Sequence, residues 1–251
     1  MSLRINEDNL FFILPEDRYS VSKRIDGFMA KNFTLYVKTK VNTEYLQNDK
    51  EHYIFARNGM HSGISIYKDK EGRIHAVYNW WVRSKDTGEY EYKNVTHRID
   101  EELENEHNEY IMICDDLVNQ NIKCFFNGKL VGVIHFANSE KNSYEGAFYW
   151  FGCGSMLCDD AAHRHIGDFD FDMAFLLDKK ITMEEVDDII KNYPLYTEET
   201  FNGLRKLKND YYLKDNFAFF CDFNKTTRYK VWDMTFSGNY PQVYIEGNIY
   251  F

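Results

Sequence analysis

The feature that most constrains this chain is a succession of short segments in which apolar and polar residues alternate. The segment FTLYVKTKV, residues 33–41, is an example. Its apolar positions share one face of an extended strand, and the other face carries Tyr36, Lys38 and Lys40. Alternation with a period of two indicates a strand with one buried face and one solvated face. We therefore expect a fold built from strands whose apolar faces pack together.

Turn residues divide these segments into hairpins. Lys70-Glu71-Gly72 separates two alternating arms, and Asn127-Gly128 is a strong hairpin signal because both residues tolerate a positive φ. Aromatic residues form 17% of the chain, which favours sheet because aromatic side chains suit pleated surfaces. The charged segment Asp100–Glu109 is typical of a solvated loop. Strands are predicted at residues 52–57, 64–67, 74–83, 109–116, within 121–136, at 146–154, 168–177, 216–223, 229–236 and 241–247.

One segment breaks the two-residue period and predicts a helix. Thr182 followed by Glu185 fits a capping box, in which the hydroxyl and the carboxylate satisfy free amides of the first turn. Apolar residues then follow at helical spacing, and Pro194 ends the run. We expect one or two short helices near residues 183–209, the second at 198–207.

The number and spacing of the strands indicate an all-β, antiparallel β-sandwich of the jelly-roll type. Neither a parallel α/β sheet nor a helical bundle fits this pattern. Three prolines and 14 glycines leave no obvious linker. We expect a single domain over residues 1–251, with a helical insert at about 183–209 and closing strands at about 216–251.

Charge and composition exclude several classes of function. The net charge of −10 argues against a nucleic-acid-binding protein, which normally shows a basic surface. No apolar run approaches the roughly 20 residues that a membrane span needs. The five cysteines are odd in number and irregular in spacing, which is not the pattern of a disulfide framework. No signal-peptide layout is visible, so we expect a cytoplasmic protein or a domain excised from a larger one.

Several of these segments, in their order along the chain, resemble the laminin-G-like module. FTLYVKTKV is similar to its opening strand, and YIFARNGMHSGISIYKDKEGRIHAVYN resembles its paired strands with a glycine loop. EYIMICDDLVNQNIKCFFNGKLVG is similar to its hairpin, and FDMAFLLDKKITMEEVDDII resembles its strand, turn and helix start. The resemblance covers most of residues 33–193. It implies the concanavalin A-like lectin/glucanase fold, whose members are often glycan-binding modules and sometimes glycoside hydrolases.

Aromatic residues are the first candidates for a sugar site, because sugars stack their C–H faces on aromatic rings. Alternation places Trp80 with Tyr78 on one face of a strand, and Trp81 with Asn79 and His75 on the other. Large aromatic residues are more often simply buried, so one tryptophan belongs to the core. Trp81 has the polar neighbours, and we predict that it binds the ligand together with Asn79 and His75. A further candidate for ligand binding is Trp150.

Polar residues beside the glycine loop Gly59–Gly63 are a second group of ligand-binding candidates. Arg57, Asn58 and His61 lie there, and loops at the end of a sandwich are a usual place for recognition. Arg57 could hold an acidic sugar, or it could pair with a surface carboxylate.

An alternation of acids and aromatics gives the chain its one catalytic candidate. Asp168, Asp170 and Asp172 fall about 6.6 Å apart along one strand face. A glycoside hydrolase needs two carboxylates that flank the scissile bond. The hydrolases of the resembling fold carry Glu-x-Asp-x-Glu on such a strand, whereas this chain has three shorter aspartates. The alternatives are a solvated strand face and a metal site.

An acidic, histidine-containing loop precedes this ladder. Calcium prefers carboxylate and carbonyl oxygens, and the loop offers Asp159, Asp160 and Asp168 as ligands. Calcium is therefore one possible cofactor. Cys153, Cys158, His163 and His165 in the same region are zinc-ligand types, although not at a standard spacing. Buried thiols followed by a solvated loop are the alternative to both metal sites.

Three functions remain open at this stage. The first is a non-catalytic carbohydrate-binding, lectin-like module that binds an oligo- or polysaccharide and is fused to or associated with a carbohydrate-active enzyme. The second is a glycoside hydrolase that uses the acids of residues 168–172. The third is a protein-interaction domain, which would carry an apolar surface patch instead of a sugar site.

Overall fold

The computed structural model describes residues 3–5, 9–14, 32–41, 52–58, 62–83, 87–99, 107–115, 119–135, 148–151, 169–177, 179–192, 217–223 and 242–247. Within these ranges the chain forms fourteen strands and one helix. They are β1 (Leu3–Ile5), β2 (Asn9–Leu14), β3 (Phe33–Val41), β4 (His52–Asn58), β5 (Ser62–Lys68), β6 (Ile74–Arg83), β7 (Tyr90–Ile99), β8 (Asn108–Asp115), β9 (Asn121–Phe126), β10 (Lys129–His135), β11 (Phe148–Phe151), β12 (Phe169–Leu177), α1 (Met183–Asn192), β13 (Phe217–Asp222) and β14 (Gln242–Gly247).

The strands form two seven-stranded sheets. The first sheet has the order β1-β12-β3-β8-β9-β10, with β13 also paired to β12, and the second has the order β14-β2-β11-β4-β5-β6-β7. Every strand pair described is antiparallel. The predicted all-β, antiparallel sandwich is therefore confirmed.

Alternate residues of both sheets meet in one apolar core. In β6 the core positions are Ile74, Ala76 and Tyr78, and from the first sheet they face residues such as Leu35 and Met112. Each of these side chains is at most 1% exposed. The face of each sheet that points away from this core is called its outer face below.

The outer face of the first sheet is covered by α1. Tyr36 lies on this face, is fully buried, and stacks on Phe175 with ring centroids 5.1 Å apart. Val186 and Ile189 of the helix pack into the same cluster. The sequence pattern had placed Tyr36 on a solvated face, and that prediction was wrong because the helix shields the middle of the strand. Lys38 and Lys40 of the same face are half-buried.

The predicted helix start is confirmed in detail. The Glu185 amide donates to Oγ1 of Thr182 at 3.2 Å, and the Thr182 amide donates to Oε2 of Glu185 at 2.7 Å. This reciprocal pair satisfies two amides that lack intrahelical partners. Just before it, Thr34 of β3 donates to the Lys179 carbonyl at 2.8 Å and accepts from the Ile181 amide at 3.2 Å. These bonds fix the helix start on the first sheet.

Both predicted turns are confirmed. Asn127 and Gly128 have φ values of 46° and 76°, as a two-residue hairpin turn with two positive φ angles requires. Gly72 has a φ of 83° in the turn between β5 and β6.

Several regions differ from the sequence interpretation. β1 and β2, near the start of the chain, were not predicted as strands. β7 was not predicted either, because its polar residues fall on both faces and give no alternation. Asn108, expected in a solvated loop, begins β8. Asn108 is fully buried and accepts a hydrogen bond at 3.1 Å from Nδ2 of Asn127. The turn residue Asn127 thus holds the start of β8, a contact that is not local in sequence.

The predicted second helix at 198–207 and the strand at 229–236 lie outside the described residues. The single-domain boundaries stay a prediction. In the part of the chain that the structure describes, the helix is too short and too polar to cross a bilayer.

Candidate functional site

The outer face of the second sheet includes several of the positions that the sequence singled out for ligand binding. In β6, alternation places the residues between the core positions on this face. On the neighbouring strand β5, Ile64 and Ile66 belong to the core, so Gly63 and Ser65 belong to the outer face. The outer-face positions of β6 are His75, Val77, Asn79, Trp81 and Arg83.

Register brings three of the predicted residues together. Asn79 of β6 pairs with Gly63 of β5, and Gly63 pairs with Asn58 of β4. Asn58 and Asn79 are therefore two strands apart, about 10 Å, and Trp81 is about 6.6 Å further along β6. Gly63, which has no side chain, lies between the two asparagines. Register and alternation therefore put positions 58, 63 and 79 in one row, with position 81 further along β6 on the same face.

Arg57 falls on the opposite face. It pairs with Ile64, which in turn pairs with Tyr78, and both of these residues lie in the core. Register and alternation therefore assign position 57 to the face opposite to positions 58 and 81. His61 lies outside the described residues.

Trp150 shares the outer face but lies far from Trp81. It pairs with Ala56 of β4, in the row that continues through Ser65 and Val77. This row is three strands and four residues away from Trp81, a separation of about 20 Å. Ala56, Ser65 and Val77 are all buried, so the middle of the outer face is not open.

His75 serves the turn between β5 and β6. Its Nε2 lies 2.8 Å from Oδ2 of Asp69, and its ring stacks on Tyr67 with centroids 4.9 Å apart. The amides of Glu71 and Arg73 donate to Oδ1 of Asp69 at 2.9 and 2.8 Å. Burial alone would raise the pKa of Asp69, but the bonds from His75 and these two amides outweigh it and hold the pKa below its ordinary value. His75 is six residues from Trp81, about 20 Å along the strand.

Two members of the acid ladder, Asp170 and Asp172, lie on the first sheet and have basic neighbours. Asp170 is in register with Lys40 of β3 on one side and with Arg4 of β1 on the other. Asp172 falls at an irregularity in the pairing with β3, and its Oδ1 is 3.5 Å from Nε2 of His107. This alternation of charges across strands is typical of a solvated sheet face. Asp168 lies outside the described residues.

The predicted calcium ligands Asp159, Asp160 and Asp168 also lie outside the described residues. Among the residues that are described, no cluster of three or more His, Cys, Asp or Glu side chains has the geometry of a metal site. Cys114 and Cys124 are buried in the core and are not joined in a disulfide. Burial raises the pKa of Cys124 to about 12, so this thiol is protonated and unreactive at neutral pH.

β7 adds residues that sequence reasoning missed. It places Asn94 opposite Asn79, Tyr92 opposite Trp81 and Tyr90 opposite Arg83. The usable signals were Gly88, which has a φ of 72° in the preceding turn, and two tyrosines spaced by two residues.

No protein-family model matches the chain, and no curated protein matches it. Solved structures that the chain is similar to include the carbohydrate-binding module CBM40 of the Ruminococcus gnavus IT-sialidase, with 12% identity over 72% of this chain and 93% of that one and a TM-score of 0.49. They include the heptameric SAP-like pentraxin of Limulus polyphemus, with 14% identity over 75% and 81% of the two chains and a TM-score of 0.46. They also include the receptor-binding domain of botulinum neurotoxin D, with 14% identity and a TM-score of 0.42. This alignment covers 65% of the chain but only 37% of the toxin domain.

Proposed function

We propose that the protein is a non-catalytic carbohydrate-binding module of the concanavalin A-like, laminin-G-like type. Its sugar site is the row Asn58–Gly63–Asn79 together with Trp81, on the outer face of the second sheet. The observation that carries the proposal is that register unites these residues on the face opposite the core.

The residue types suit a sugar. An indole ring offers a flat apolar surface for the C–H face of a pyranose, and an asparagine amide both donates and accepts hydrogen bonds, as a hydroxyl requires. Gly63, between the two asparagine positions in the register, adds no side chain of its own. Binding sites for small molecules combine apolar surface with a few placed polar groups in the same way.

The same face favours binding over hydrolysis. From residue 79 to residue 83, the outer-face positions of β6 and their partners on β5, β4 and β7 include no Asp or Glu. A glycoside hydrolase needs a pair of carboxylates, which these rows do not supply.

The test is a glycan array with the purified protein, comparing Trp81→Ala with Thr96→Ala. Thr96 is exposed on the same face of β7, so its substitution controls for any general change in that face. We expect Trp81→Ala to abolish binding and Thr96→Ala to retain it. Binding to no glycan, or equal binding by both variants, would overturn the proposal.

Calcium and an enzyme partner are further parts of the proposal. We propose that Asp159, Asp160 and Asp168 bind calcium, and that the module acts beside a fused or associated carbohydrate-active enzyme. The array is run once with calcium and once with a chelator. Loss of binding on chelation would support the calcium site, and unchanged binding would reject a calcium-dependent mode.

A further inference from the structure

The turn between β9 and β10 holds a chemically labile pair of residues, Asn127 and Gly128. An asparagine that precedes a glycine is especially prone to deamidation, because glycine has no side chain to hinder attack by its own backbone nitrogen. Both residues are exposed, so water reaches them. The turn nevertheless depends on this pair, since both residues have a positive φ.

The fold ties down the side chain that would react. Oδ1 of Asn127 accepts a hydrogen bond from the Glu109 amide at 2.8 Å, and Nδ2 of Asn127 donates to Oδ1 of Asn108 at 3.1 Å. The Asn127 amide also donates to the Glu109 carbonyl at 2.9 Å. Both ends of the carboxamide are therefore bonded to the start of β8. The carboxamide can swing onto the Gly128 nitrogen only after these bonds open.

We propose that Asn127 is a deamidation site and that its bonds to the start of β8 gate the reaction. When these bonds are open, the Gly128 nitrogen loses its proton and forms a bond to Cγ of Asn127. The Cγ–Nδ2 bond breaks, and Nδ2 leaves as ammonia. Water then opens the resulting succinimide ring at either carbonyl, which leaves aspartate or isoaspartate. The net reaction consumes water and converts a neutral amide into a carboxylate and an ammonium ion.

The products weaken the contacts that gate the reaction. In aspartate, an oxygen replaces the nitrogen that donates to Asn108, so two acceptors face each other beside a fully buried side chain. A negative charge is also added to a residue that is bonded to the Glu109 backbone. Isoaspartate inserts an extra backbone carbon, which a two-residue hairpin turn does not accommodate. Deamidation therefore loosens the start of β8, and the loss of ammonia makes the change permanent.

The test compares two rates in the purified protein at mildly alkaline pH. Peptide mapping by mass spectrometry follows deamidation of Asn127, with the free peptide of residues 125–132 as the ungated reference. Hydrogen–deuterium exchange of the Glu109 amide, which donates to Asn127, measures how often the same contact opens. We expect Asn127 to react about tenfold or more slowly in the protein than in the peptide, by the same factor that slows exchange of the Glu109 amide.

Two variants separate the gate from general stability. Asn108→Ala removes the acceptor for Nδ2 of Asn127 and should speed the reaction. Asn121→Ala replaces a buried asparagine at the start of β9, leaves both bonds of the Asn127 carboxamide in place, and should not speed it. If Asn108→Ala does not fold, urea below the unfolding transition takes its place and should raise deamidation and Glu109 exchange together.

The consequence of the reaction is tested with Asn127→Asp, which reproduces the aspartate product. It should speed exchange of the Glu109 amide and lower the melting temperature, and no change in either would overturn the proposed loosening of β8. A deamidation rate in the protein equal to that of the peptide, or one that does not follow Glu109 exchange, would overturn the gate. Equal acceleration by Asn108→Ala and Asn121→Ala would also overturn it.

Discussion

The two sheets of the sandwich use aromatic residues on their outer faces in different ways. On the first sheet, Tyr36 and Phe175 are buried under α1 and complete a second apolar cluster. On the second sheet, Trp81 and Tyr92 lie in register beside asparagines, at the end of a hairpin that passes its neighbouring strand. Outer-face aromatic residues therefore pack beneath α1 on the first sheet. On the second sheet Tyr67 also packs, against Tyr53 and His75, and the binding role that we assign on this face is limited to Trp81 and its neighbours.

The largest expected effect tests the packing role. Phe175→Ala removes a fully buried ring from the cluster beneath α1 and should lower the free energy of unfolding by about 3–5 kcal/mol. Urea denaturation measures this. At temperatures where the variant is folded, its glycan affinity should equal that of the wild type. Lost binding by the folded variant would mean that the two faces are not separate in function.

The next prediction concerns a contact between β7 of the second sheet and β10 of the first sheet. Nε2 of His97 in β7 bonds the Val131 carbonyl of β10 at 3.0 Å, and a methyl group on Gly132 would overlap the His97 ring. Gly132→Ala should therefore cost about 1–3 kcal/mol of stability.

A double-mutant cycle isolates that contact. With His97→Ala already present, Gly132→Ala should cost much less, since the overlap is gone. An equal cost in both backgrounds would show that the strain comes from the Gly132 backbone instead.

A smaller effect is expected at the helix start. Thr182→Ala removes the hydroxyl that accepts from the Glu185 amide and should lower stability by about 1 kcal/mol. Thr182→Ser keeps the acceptor and is the matched control. Thermal unfolding monitored by circular dichroism compares the two, and equal melting temperatures would argue that the cap does not hold α1 on the sheet.

The smallest effect is a pH dependence in the turn between β5 and β6. The folded-state pKa of Asp69 lies below its ordinary value near 3.8. Its contribution to stability is therefore complete above that value and is lost as the pH falls through the lower, folded-state pKa. Asp69→Asn should reduce the loss of the free energy of unfolding that occurs on acidification, measured by unfolding at a series of pH values. An unchanged loss on acidification would assign it to other carboxylates.

The sequence predicts best what depends on neighbouring residues. The Thr182–Glu185 capping box and the Asn127-Gly128 turn are local signals, and both are present as expected. The limits of β3 follow in the same way from alternation. These features need no knowledge of what packs against them.

The faces and the covering elements depend on distant partners. Tyr36 is buried because α1, more than 140 residues later in the sequence, lies over it. Alternation assigns positions 57 and 58 to opposite faces of β4, but only the register of β4 with β5 shows which of the two positions shares a face with position 81. That register contains an irregularity between Tyr53 and Phe55, which the sequence does not reveal.

The central claim is that the outer face of the second sheet binds a glycan while that of the first sheet serves packing. Hydrogen–deuterium exchange with and without the best array glycan tests it most directly. We predict that bound glycan slows amide exchange in residues 79–94 and leaves residues 183–192 unchanged. Protection in α1 and its underlying strands, with none in the β6–β7 hairpin, would contradict the claim.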